Sequence, residues 1–205
     1  MRRMIFWSEN HIFMYLSSAV LYRQRCLSQG LSCYVSNREE QLLMCYLEGH
    51  CSPDSVWVYE VLSPVYLPYT FSALLNLYDF STNEAIRSYA DVLLNYILYQ
   101  VLLGANSDGI CNLTASARSY PKFRRRNWGH NISMLVYLAT GVARESTRPT
   151  AVTDFLLTSS WIPKTSTLDA FTFVGFVKLP RSHGADTIRD LYNSVEPMER
   201  VPFYW

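Results

Sequence analysis

Apolar residues recur every three or four positions over most of the first 140 residues, the period of a helix with one buried face. Ser8 precedes the first run as an N-cap. Ile12, Phe13, Leu16, Ala19 and Val20 then share one face of a helix reaching about Arg25. Ser36-Asn37-Arg38-Glu39 is a capping box, in which hydroxyl and carboxylate satisfy the first unpaired N–H groups of a helix. It predicts a helix over 41–48, closed by Gly49. Pro64 and Pro68 precede a third run. Phe71, Leu74, Leu75 and Tyr78 form its face, and it ends near Asp79-Phe80. A second box, Ser81-Thr82-Asn83-Glu84, opens a helix over 85–103 that stops at Gly104. That helix is apolar on most sides, which predicts neighbours around it.

Residues 105–129 lack periodicity, and a loop of that length inside a compact domain is usually functional or disordered. A fifth helix is expected over 131–143. After Arg144 the texture changes: Thr, Pro and Ser become frequent, and Phe171-Thr172-Phe173-Val174-Gly175-Phe176-Val177 reads as a buried strand. The expected fold is therefore mainly α: antiparallel α-hairpins over 1–145, then an irregular, β-containing C-terminal segment over 146–205. No exact repeat is present, which disfavours a regular solenoid.

Composition narrows the class. Of 205 residues, 49% are hydrophobic and 17% charged, which excludes a disordered chain. The net charge is +1, which argues against a nucleic-acid partner. No run reaches the roughly 20 apolar residues of a membrane span, so no span is expected. Met1-Arg2-Arg3 could begin a secretory signal, but the apolar run Met4 to Trp7 ends at Ser8-Glu9, short of the roughly 7–15 residues needed. The apolar end, Val201-Pro202-Phe203-Tyr204-Trp205, suggests a longer natural chain. Cys26, Cys33, Cys45, Cys51 and Cys111 match no zinc or CxxC spacing, so buried or free thiols are expected, and no metal or cofactor.

Three places could carry chemistry. Trp7-Ser8-Glu9-Asn10-His11 opens the first helix, where free N–H groups and the helix dipole favour an anionic ligand. A neutral His11 there can act as a base, and Asn10 can hold a carboxylate. The plainer alternative is that Ser8 caps, Glu9 offsets the dipole and His11 meets solvent. Arg118-Ser119-Tyr120 lies in the long loop. Arg grips carboxylates with paired hydrogen bonds, and Tyr can exchange a proton with a glycosidic oxygen. Residues 118–126 hold five basic side chains and no acidic one, a positive patch on an otherwise acidic chain. Asp79, Asp91 and Asp108 are candidate partners for Glu9 in glycoside hydrolysis. His50 and His183 sit in turn-like contexts beside Gly49 and Gly184. No Gly-x-Ser-x-Gly, P-loop, GxGxxG or HExxH is present.

Two stretches resemble a known family. Trp7-Ser8-Glu9-Asn10-His11 with the following Ser17-Ser18-Ala19, and the run from Ala73 through Leu103 to Arg118-x-Tyr120, are similar to the α/α-toroid polysaccharide lyases of the alginate-lyase and heparinase II/III type. The similarity spans roughly residues 7–140. It implies part of an (α/α)-toroid, about five of some twelve helices, and β-elimination on an acidic polysaccharide. It also implies roles. Asn10 neutralises the uronate carboxylate, His11 removes the C5 proton, Arg118 adds a carboxylate contact and Tyr120 serves as acid or base. Trp7 and Glu9, in the same stretch, are candidate substrate contacts, and at Glu9 the chain departs from the family, which often carries a second Asn there. Two alternatives stand beside it: a non-catalytic helical module that binds sugar or protein, and a glycoside hydrolase using Glu9.

Overall fold

The structure, a computed structural model, describes residues 8–52, 63, 66–105, 130–140 and 151–168. The chain divides into two units, Met1–Gly175 and Phe176–Trp205, and every described residue belongs to the first. Six helices are present among them: α1 (Glu9–Ser28), α2 (Asn37–Cys51), α3 (Leu67–Phe80), α4 (Glu84–Leu103), α5 (His130–Thr140) and α6 (Ala151–Thr158). No β-strand occurs among the described residues, and the expected strand at 171–177 lies outside them.

Local signals set most of the boundaries. Asn83, and not Ser81 of the expected box, caps α4, its Oδ1 accepting from the N–H groups of Ala85 and Ile86 at 3.0 and 3.4 Å. Ser36 caps α2, accepting from Arg38 N at 3.2 Å and donating to Glu39 Oε2 at 2.6 Å. That hydroxyl bond holds the Glu39 carboxyl below the usual carboxylate range. Helix α1 continues one turn beyond Arg25. It ends where Leu31 N bonds Cys26 O and Gly30 N bonds Leu27 O, with Gly30 at φ 66°, a conformation that glycine adopts without strain.

Two elements depart from expectation. Helix α2 begins at Asn37 rather than at residue 41, and it does not stop at Gly49 but runs on to Cys51. An interior glycine costs only about 1 kcal/mol, and the added turn buries His50 against α1. Helix α6 forms in the stretch whose composition reads as irregular. It lies against α3 and α5, with Leu156 packed on the core, so a tertiary contact accompanies a segment with little periodic signal of its own.

Side-chain contacts orient the first four helices. Phe13 meets Tyr46 and His50, while Arg23 meets Glu40, so α1 and α2 run antiparallel. Arg87 Nε donates to the Tyr78 carbonyl across the short α3–α4 turn, so those two are antiparallel as well. Gln24 bonds Ser81 and Thr82, and Asn83 bonds Glu40, which aligns α1 with α3 and α2 with α4. Two hairpins thus lie side by side. Helix α1 touches α2 and α3, and α4 touches α2 and α3, while the diagonal pairs do not meet.

Helix α4 has neighbours on several sides, as its apolar surface predicts, packing on α2, α3 and α5. Helix α3 is the most enclosed, touching α1, α4, α5 and α6. Phe71, Leu74, Leu75 and Leu77 on α3 interlock with Ile86, Leu93, Leu94 and Leu98 on α4 and with Phe13, Leu16 and Val20 on α1. Each such side chain contributes about 1.5–3 kcal/mol when fully buried.

Candidate functional site at the start of the first helix

The opening turn of α1 places Ser8, Glu9, Asn10 and His11 in two different environments. Glu9 and Asn10 point inward and are buried, while His11 is exposed. A helix turns 100° per residue, so adjacent positions cannot all face one cleft.

Ser8 does not cap the helix with its side chain. Its hydroxyl donates to Asn10 Oδ1 at 2.7 Å and also contacts His11 Nδ1. A hydroxyl has a single proton. With that proton on Asn10, His11 Nδ1 must carry its own and donate to Ser8 Oγ. In the neutral ring this leaves the lone pair on Nε2, the tautomer that a general base at Nε2 requires.

Glu9 is occupied elsewhere. Its Oε1 lies 2.9 Å from His50 Nε2, with the two side chains 4% and 6% exposed. His50 Nδ1 lies 2.8 Å from the Tyr46 carbonyl. That carbonyl can only accept, so Nδ1 is protonated, and the Nε2–Oε1 contact needs a further proton between the two groups. Counted either way, the pair is neutral overall, which removes the cost of burying a lone carboxylate. Phe13 and Tyr46 pack on the His50 ring at centroid distances of 5.2 and 4.2 Å and exclude water from the contact. The next residue, Cys51, is half-buried, and burial pushes its thiol up to about 11. It stays protonated near neutral pH. Cys26, Cys33, Cys45 and Cys51 are all free thiols.

Trp7, Arg118 and Tyr120 lie outside the described residues, as do the basic cluster at 122–126, Asp108, Cys111 and His183. Of the expected site residues, Glu9, Asn10 and His11 are therefore the ones with a described position. Sequence reasoning missed His50. The useful signal was Tyr46 and His50 at i and i+4, which puts ring and carbonyl on the same helix face; the glycine between them obscured it.

Asp79 and Asp91 are committed at a second polar cluster. Asp79 Oδ1 accepts from both the N–H and the hydroxyl of Ser160, at 2.9 and 2.6 Å. Asp91 Oδ1 accepts from Trp161 Nε1 at 2.9 Å and from Asn95 Nδ2 at 2.8 Å, and its Oδ2 pairs with Lys164 Nζ at 2.9 Å. Beside this cluster is an apolar cleft of about 140 Å³ lined by Phe71, Leu98, Leu135, Leu156, Trp161 and Pro163. Small-molecule sites usually measure about 300–1,000 Å³. Among the described residues, no group of three His, Cys, Asp or Glu side chains could hold a metal ion, and no helix is long and apolar enough to cross a membrane.

Comparison with protein-family models, with curated proteins and with solved structures found no match for this chain.

Proposed function

We propose that this chain acts on an acidic polysaccharide by β-elimination, with His11 as the base that removes the C5 proton. The observation that carries this reading is the Ser8 hydroxyl. A residue at that position ordinarily caps the helix, whereas here it bonds Asn10 and His11 and sets the imidazole tautomer. The Glu9–His50 contact supports it, because a carboxylate turned inward and neutralised does not repel a uronate at the helix start. The side-by-side hairpins also support it, since a toroid repeats that arrangement. From the resemblance to the polysaccharide lyases, the reading assigns Arg118 the role of a carboxylate contact, Tyr120 that of acid or base, and Trp7 a role in substrate binding.

The test is ultraviolet absorbance of the unsaturated uronate product during incubation with alginate, hyaluronan and heparin. A rise with the native protein and none with His11→Ala is the expected result. Flat traces with all three polymers sink the proposal.

A second reading, a non-catalytic helical module that binds sugar or protein, has its own observation. Asn10, the residue proposed to neutralise the uronate, is 4% exposed. On the face of α1 shared with His11, Tyr15, Ser18 and Tyr22 are exposed, and tyrosine rings stack on sugars and protein partners. Calorimetric binding of a uronate oligosaccharide without turnover, weakened by Tyr22→Ala, favours this reading. The hydrolase alternative has less behind it, because Glu9, Asp79 and Asp91 are each committed to other partners.

A further inference from the structure

We infer that residues 159–168 form a releasable strap that closes the apolar cleft between α3, α4, α5 and α6. The inference stands apart from the His11 site, which lies at the start of α1.

The evidence is in how the strap is held. Among the described residues, every hydrogen bond from it to α3 or α4 ends on one of three side chains. Asp79 takes Ser160, and Asp91 takes the Trp161 indole and the Lys164 ammonium. Asn95 Oδ1 takes the Lys164 N–H and the Thr167 hydroxyl, both at 2.9 Å. The strap's backbone bonds are local: Ser159 N to Phe155 O, and the single turn from Lys164 to Leu168. Beyond Ser159, which continues the α6 ladder, no backbone bond among the described residues ties the strap to a helix of the bundle.

Its seats are also shared. Asn95 Nδ2 donates to both the carbonyl and the carboxylate of Asp91, one turn away, so the two side chains brace each other. Loss of one seat loosens the others, which makes opening a concerted step. Trp161 is the plug. It is buried, and its ring meets Phe71 edge-on at 5.6 Å. Trp161 and Pro163 supply one wall of the cleft, so lifting the strap removes that wall and uncovers Phe71 and Leu98. Between the anchored residues, Ile162, Thr165 and Ser166 face solvent, the exposure profile of a surface strap.

Amide hydrogen exchange on the full chain tests this. The amides of Ser160, Trp161 and Lys164 are expected to exchange together, at least about tenfold faster than the central amides of α3 and α4. Asn95→Ala is expected to speed the strap by roughly tenfold more while leaving α3 and α4 unchanged. It should also raise binding of the apolar dye anilinonaphthalene sulfonate severalfold. Three results overturn the inference: native strap amides exchanging at the α3 rate, Asn95→Ala accelerating the whole bundle equally, or unchanged dye binding once the strap has opened.

Discussion

Two carboxyl groups in this protein hold a nitrogen partner at the same 2.9 Å, and their surroundings make them different interactions. Glu9 and His50 are almost wholly buried beneath Phe13 and Tyr46, whereas Asp91 and Lys164 are 25% and 56% exposed. The second pair is open to solvent, so losing it leaves no charge buried without a counterion. The first pair has no water to fall back on. Equal distance therefore does not mean equal energy: the dielectric around the pair and the fate of the orphaned partner decide the outcome.

The sharpest test of that contrast is His50→Ala, which removes the imidazole from the buried Glu9 carboxyl group. We expect a loss of about 3–5 kcal/mol in urea or thermal unfolding. A loss below 1 kcal/mol would show that solvent reaches Glu9. Gln100 supplies the opposite case. It is buried on α4, and among the described residues its Nε2 is the buried side-chain polar atom that lacks a hydrogen bond. Gln100→Leu should accordingly raise stability by about 1–2 kcal/mol. A loss would mean that this amide has a partner.

At the surface the effects shrink. Ser36→Ala removes the N-cap of α2 and should cost about 1 kcal/mol. Its pH signature is specific. The folded Glu39 carboxyl titrates below its unfolded counterpart because the Ser36 hydroxyl donates to it. The resulting stabilisation is complete above the ordinary carboxylate range and is lost as pH falls through the lowered value. In Ser36→Ala that acid-side loss should flatten, as read from unfolding midpoints between pH 2 and pH 6. Lys164→Met, at the exposed pair, should cost no more than about 1 kcal/mol, and less in high salt. Smallest of all is His11→Ala. Its ring is exposed, so stability should move by less than about 0.5 kcal/mol while any turnover disappears.

The same contrast explains which parts could be read in advance. Helix α4 was legible almost to the residue, because Asn83, Glu84 and Gly104 act within a turn of each end. The end of α2 was not. Gly49 reads as a stop, and only the burial of His50 on α1 carries the helix past it. Helix α6 was invisible because eight residues offer barely two turns of pattern, while its contacts with α3 and α5 join positions far apart in the chain. At the candidate site, the importance of the Ser8 to His11 turn was legible and the division of labour within it was not. Ser8 reads as a cap and Glu9 as a dipole partner, yet one orients His11 and the other is locked to a residue 41 positions away.

Helical periodicity, capping residues and apolar content alone made this chain a set of amphipathic helices, because those signals act over a few residues and need no distant partner. The neutral buried pair and the three seats beneath residues 159–168 came only with packing. Each depends on side chains that the chain brings together across tens of residues, and on how much water remains once they meet.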